Sequence, residues 1–162
     1  MRIDDELYRL AVALGRAALA RRARIATAES CTGGLVSGAI TAVAGSSDWF
    51  DRGFVTYSNE AKIADLAVAP ATLERYGAVS EETALAMATG ALRGGNAQWS
   101  LAVTGIAGPS GGTADKPVGT VCFAWAGPGA TGTLRALLPG TRADIRQASV
   151  RIALQGLLDR LA

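Results

Sequence analysis

RIATAESCTGGLVSGAITAV, residues 24–43, is the stretch whose reading decides the fold. Arg24 to Ala28 reads as a short strand, Ser30 sits in a tight turn, and a helix is expected from about Thr32 to Val43. The small residues of that helix permit close packing on a sheet. If the helix begins near Thr32, the N–H groups of Cys31, Gly33 and Gly34 are not all taken up by helix bonds. Amides so placed suit an oxyanion or a phosphate, and the two glycines let a ligand approach the backbone. A serine that merely caps the helix fits the same residues, so both readings stand at this point.

Outward from this unit the pattern continues. Residues 4–22 form an amphipathic helix, with Leu7, Leu10, Ala11, Leu14 and Ala18 on one face. Strands are expected at Gly53–Tyr57, Trp99–Thr104, Thr120–Ala126 and Thr131–Leu138. Asn59 is placed as the N-cap of a helix through Leu66, and Ser80 opens another helix with Glu81 and Glu82 in its first turn. Pro70 and Gly77 punctuate the segment between them. Thr141 caps the last helix, with Asp144 at the capping-box position, and Val150, Leu154, Leu157, Leu158 and Leu161 mark its buried face. Strands and helices alternate early, and two strands then follow each other before the final helix. The expected architecture is one α/β domain over residues 1–162, a three-layer α/β/α sandwich with a mixed β-sheet.

The chain has 162 residues and no histidine. That excludes Ser-His-Asp and Cys-His catalysis, so an activated serine needs another base. With only two cysteines, a zinc site is not expected, and no metal or redox cofactor is called for. Lys62 is the candidate base. In the first turn of its helix the dipole disfavours an ammonium, and burial lowers its pKa further. A solvated helix lysine is the plainer alternative. Lys116, beside Pro117, is the rival and reads as a ligand contact or a solvated side chain. Tyr57 stands just before the Lys62 helix, where its hydroxyl suits a proton relay or a core hydrogen bond. Asn59 offers both donor and acceptor to a ligand.

Thr104-Gly105-Ile106-Ala107-Gly108 begins a glycine-dense loop after a strand. Its amides suit an anion-binding nest, although the spacing matches neither a Walker loop nor a dinucleotide fingerprint. Arg142 and Arg146 share a helix face four residues apart and suit a phosphate, or simply a solvated face.

Sixteen basic and fourteen acidic side chains leave a net charge of +2, with no basic-aromatic stripe. No nucleic-acid partner is expected on that ground. No apolar run is long enough for a membrane span, and the acidic N-terminal stretch Met1–Glu6 has no signal-peptide core. Both cysteines are expected reduced, in a cytoplasmic protein. Apolar helix faces suggest a homodimer, though the same residues serve equally as core.

Several segments together resemble the CinA C-terminal domain family. They are Thr27–Gly34, Tyr57–Lys62, Gly77–Ser80, Thr104–Pro109 and Lys116–Val121, in the same order and spread over nearly the whole chain. The resemblance implies a stand-alone nicotinamide-nucleotide amidase. It would convert nicotinamide mononucleotide, a pyridine nucleotide, to nicotinate mononucleotide and ammonia in pyridine nucleotide recycling. It implies Ser30 as nucleophile, Lys62 as base and Tyr57 as assisting hydroxyl. The substrate would be held by Cys31, Thr32, Gly33, Gly34, Asn59, Thr104, Gly105, Ala107 and Gly108, with Arg142 or Arg146 on the phosphate. Two positions depart from the family pattern: Ala44 replaces a common proline, and Thr141 a common aspartate. A nucleotide-binding module without catalysis is the competing reading, and a DNA-associated competence protein is a weaker third.

Overall fold

A computed structural model describes residues 3–162 of the chain. Met1 and Arg2, part of the N-terminal stretch considered above, lie outside the described residues. The element order is α1 (Asp5–Ala20), β1 (Ile25–Glu29), α2 (Leu35–Thr41), a 3-10 turn (Ser46–Asp48), β2 (Phe50–Val55), α3 (Asn59–Leu66), α4 (Pro70–Tyr76), α5 (Glu81–Ala91), β3 (Trp99–Gly105), β4 (Thr120–Ala126), β5 (Gly132–Leu137) and α6 (Arg142–Leu161).

The five strands form one sheet in the order β2-β1-β3-β4-β5. β2, β1 and β3 run parallel, while β4 and β5 are antiparallel to their neighbours. The expected mixed sheet with helices on both faces is therefore what forms. Side-chain alternation explains the layers. Val121, Phe123 and Trp125 of β4, with Ile25, Leu101 and Val103, pack against α1, α2 and α6. Cys122, Ala124 and Ala126, with Ala26, Ala28 and Ala102, pack against α3, α4 and α5. The second face is built of small residues, so α5 lies close to the sheet. At Gly90 of α5 a Cβ would run into the Leu66 carbonyl at the end of α3. Gly90→Ala is accordingly expected to lower stability by about 1–3 kcal/mol, read as a Tm lower by about 2–12 °C.

Beyond shifts of one or two residues at element ends, four departures from the sequence expectation each have a physical reason. α2 starts at Leu35 rather than Thr32, because Gly33 and Gly34 take left-handed φ values of 58° and 96° that end any helix placed there. β2 covers Phe50–Val55 rather than Gly53–Tyr57, because Thr56 to Ser58 leave the sheet to serve α3. The N-cap of α3 is Ser58, whose hydroxyl accepts from the Ala61 N–H at 3.1 Å; Asn59 is the first helical residue and is exposed. Pro70 begins the short helix α4 instead of breaking the chain, consistent with proline's fit at a first helical position.

Other expectations hold. Ser80 caps α5, and Thr141 with Asp144 forms a complete capping box on α6. Val150, Leu154, Leu157 and Leu161 are buried, and Leu158 is partly so. Among the described residues no helix is long and apolar enough to cross a membrane.

Candidate active site

The carboxyl ends of the parallel strands β1 and β3 lie side by side, a position where open α/β sheets place ligand sites. The chain leaves β1 at Glu29, and the Ser30 N–H donates to the Val103 carbonyl of β3 at 2.9 Å. Ser30 is thereby held at the sheet edge, 9 % exposed.

Lys62 reaches it from α3. Its Nζ donates to Ser30 Oγ at 3.0 Å, to the Thr56 carbonyl at 2.8 Å and to the Ser58 carbonyl at 3.5 Å. The side chain is 1 % exposed. Among the described residues no carboxylate pairs with it. Burial therefore lowers its pKa from the ordinary value of 10.5, opposed by the neighbouring Cys31. Three oxygens around the amine satisfy an ammonium, and they also suit the neutral amine that burial favours. The carbonyls take its two N–H bonds, and the lone pair is left for the Ser30 O–H.

Cys31, next to Ser30, is buried, and burial pushes its thiol up to about 12 against the pull of its own amide, Arg146 and Lys62. A thiol so held is protonated at neutral pH and is a poor nucleophile.

The turn amides are divided differently from the sequence expectation. The Gly33 N–H donates to the Ser30 carbonyl at 3.0 Å, and the Gly34 N–H to Glu29 Oε2 at 3.0 Å, so neither glycine amide is open to a ligand. Among the described residues no other residue accepts from the N–H of Cys31 or of Thr32; the Cys31 N–H lies against its own Sγ. These two amides flank Ser30 on its C-terminal side, and they are the pair that can meet an oxyanion. Glu29 had no role in the sequence reading. An acid closing a strand of otherwise uncharged residues was the signal available for it.

Arg146 and Arg142 descend from the start of α6. Arg146 Nε and Nη2 donate to the carbonyls of Cys31 and Thr32, both at 3.1 Å, which engages it with the turn. Arg142 donates to the Gly108 carbonyl and to the Tyr57 hydroxyl, both at 2.9 Å, and remains exposed. Tyr57 is 59 % exposed and points its hydroxyl to Arg142; Lys62 meets Ser30 directly, with no relay between them.

The glycine loop closes the other side. Thr104 is buried and donates to the Ala78 carbonyl at 2.8 Å, which ties β3 to the Gly77–Ser80 segment. Gly105 lets β4 approach: a Cβ there would lie 2.9 Å from the Thr120 carbonyl oxygen. Among the described residues, the amides of Ala107 and Gly108 have no acceptor. Lys116 donates to the Tyr76 carbonyl at 2.7 Å, so it serves the end of α4 rather than Ser30.

Comparison with known proteins gives one consistent picture. A family model described as CinA C-terminal domain matches residues 7–161. The nicotinamide-nucleotide amidohydrolase PncC of Escherichia coli is 50% identical over 95% of this chain and 94% of its own length. A CinA-like protein of Mycolicibacterium paratuberculosis is 52% identical over 99% of this chain, which spans 36% of that longer relative. The crystal structure of competence/damage inducible protein CihA from Agrobacterium tumefaciens superposes with a TM-score of 0.95 at 45% identity, covering 98% of each chain.

Proposed function

Since the chain belongs to the CinA C-terminal domain family, we propose that it hydrolyses the carboxamide of nicotinamide mononucleotide to nicotinate mononucleotide and ammonia, with Ser30 as nucleophile and Lys62 as base. The observation that carries this reading is the 3.0 Å contact between Lys62 Nζ and Ser30 Oγ, made by a buried lysine that no carboxylate among the described residues neutralises, in a chain without histidine. The PncC relative, similar over nearly the full length of both chains, supports the substrate.

Neutral Lys62 takes the Ser30 proton as Oγ attacks the carboxamide carbon. The oxyanion that forms is stabilised by the Cys31 and Thr32 amides. When the tetrahedral intermediate collapses, the C–N bond breaks and the Lys62 ammonium returns the proton to the leaving nitrogen, releasing ammonia. The acyl ester on Ser30 is then attacked by water, which gives its proton to Lys62. Collapse frees the acid and restores the Ser30 hydroxyl. Each step uses only these side chains, amides and water.

The nucleotide phosphate is assigned to the exposed Arg142 and the Ala107 and Gly108 amides. Arg142 uses two of its five N–H donors on the protein, which leaves three for a ligand. Arg146 is assigned to the turn and Tyr57 to the mouth of the site. A cytoplasmic homodimer acting in pyridine nucleotide recycling completes the proposal. Leu134 and Leu137, exposed on the edge strand β5, support a second copy as the partner.

The test is ammonia release from nicotinamide mononucleotide, with nicotinate mononucleotide identified as the co-product. Wild type and Cys31→Ser are both expected to be active, because the Cys31 thiol stays protonated. Binding of the nucleotide without ammonia would instead favour the non-catalytic module.

A further inference from the structure

Glu29 is fully buried, and among the described residues no lysine or arginine touches its carboxylate. An uncompensated carboxylate in the interior is strongly unfavourable unless hydrogen bonds replace its hydration. Here five do. Oε2 accepts from Thr32 Oγ1 at 2.7 Å and from the Gly34 and Val36 amides at 3.0 Å each. Oε1 accepts from the Ser37 amide and the Ser37 hydroxyl, both at 2.8 Å. Ser37 Oγ in turn lies 2.7 Å from Thr27 Oγ1. This buried pair fits against β2 only because residue 53 is glycine: a Cβ there would stand 2.8 Å from Thr27 Oγ1 and collide with Ser37 Oγ.

The consequence is a sorting of the turn amides. Gly34, Val36 and Ser37 donate to Glu29, Gly33 donates to the Ser30 carbonyl, and Leu35 to the Thr32 carbonyl. Every amide from Gly33 to Ser37 is thus engaged, and the two left over are those of Cys31 and Thr32. The Arg146 bond to the Cys31 carbonyl holds the peptide plane that carries the Thr32 N–H, and the Gly33 bond to the Ser30 carbonyl holds the plane that carries the Cys31 N–H, while Glu29 anchors the Thr32 side chain. Glu29 also reaches the base through its main chain. Its carbonyl accepts from the Thr56 N–H at 2.8 Å, and the Thr56 carbonyl accepts from Lys62.

We propose that Glu29 is the positioning residue of the oxyanion site. By accepting from Thr32 Oγ1 and the amides of Gly34, Val36 and Ser37, it fixes the turn so that the Cys31 and Thr32 amides face the reacting carbonyl beside Ser30. This rests on the serine–lysine reading above. The role needs a carboxylate. In Glu29→Gln one oxygen becomes an NH2 donor, which must face either the Ser37 amide or those of Gly34 and Val36, donor against donor.

The test measures kcat and KM with nicotinamide mononucleotide, the pH profile of kcat, thermal unfolding, and the rate at which a fluorophosphonate labels Ser30. Labelling forms a Ser30 Oγ–phosphorus bond as fluoride leaves, develops negative charge on the phosphoryl oxygen, and does not require the nucleotide to be the substrate. Folded Glu29→Gln is expected to keep KM within about threefold while kcat and the labelling rate fall together by about 100-fold, the loss typical of a displaced oxyanion donor. The acid-limb midpoint of kcat should not move, because burial and Cys31, not Glu29, shift the Lys62 amine. A folded variant labelled at close to the wild-type rate, or one whose midpoint moves with the rate loss, overturns the proposal. If Glu29→Gln does not fold, Thr32→Val decides. It removes one donor and keeps the carboxylate, so labelling should slow by about 10-fold, part of the loss expected for a displaced donor; an unchanged rate overturns the role. Wild type that is labelled at Ser30 but inert toward the nucleotide refutes the substrate and leaves Glu29 to be judged by labelling. Wild type that is neither active nor labelled overturns both.

Discussion

Ser30→Ala is expected to lower ammonia release from nicotinamide mononucleotide by about 1,000-fold or more, the scale of loss when the nucleophile of an acyl-transfer site is removed. The variant should fold normally. Ser30 Oγ accepts one bond from Lys62, whereas the turn is held by main-chain and Glu29 contacts that alanine leaves intact. Nucleotide affinity should also persist, because the donors assigned to the phosphate, Arg142 with the Ala107 and Gly108 amides, belong to other segments. Calorimetric titration of the variant with nicotinamide mononucleotide, beside the ammonia assay, separates the two effects. Near-normal turnover in Ser30→Ala would remove Ser30 as the nucleophile. The protonated Cys31 thiol offers no ready substitute.

Lys62→Met should produce a loss of similar size for a different reason. Methionine keeps the length and fills the buried space, but nothing then accepts the Ser30 proton. In wild type the base form is the neutral amine, so kcat should rise with pH to a plateau. Because burial lowers the Lys62 pKa, the midpoint of that rise should lie below 10.5; a midpoint at or above 10.5 would contradict the assignment. Stability carries the same signature with a definite sign. Between the depressed native pKa and 10.5 the unfolded chain binds more protons than the native one, so the free energy of unfolding rises with pH across that window. Below the native pKa, Lys62 is protonated in both states and that contribution is absent. Denaturant titrations of wild type and Lys62→Met across this range should differ in slope, with the rise missing from the variant.

Much of the fold was legible in the sequence. The α6 capping box, the Ser80 cap and the apolar faces of α1 and α6 are local patterns, written within a few residues and read by periodicity. β4 is the clearest strand: its alternation of Val121, Phe123 and Trp125 with Cys122, Ala124 and Ala126 separates the large-residue core from the small-residue one. The errors were also local. Asn59 and Ser58 are both competent caps, and only the path of Thr56–Ser58 out of the sheet selects Ser58. Gly33 and Gly34 were rightly seen as backbone-permissive, but their left-handed conformation moves the start of α2 past them.

By itself the sequence determined the layered α/β plan, the absence of a histidine base and the short list of polar residues able to do chemistry. The tertiary structure decided which of them meet. Ser30 and Lys62 are 32 positions apart, and Cys31 and Arg146 are 115 apart. It also decided that Glu29 engages the Gly34 amide and the Ser30 carbonyl that of Gly33, while Cys31 and Thr32 keep theirs. Caps and periodicities depend on neighbours within one helical turn, so they can be read along the chain. Burial, and with it the lowered pKa of Lys62, depends on segments that become neighbours only when the sheet forms.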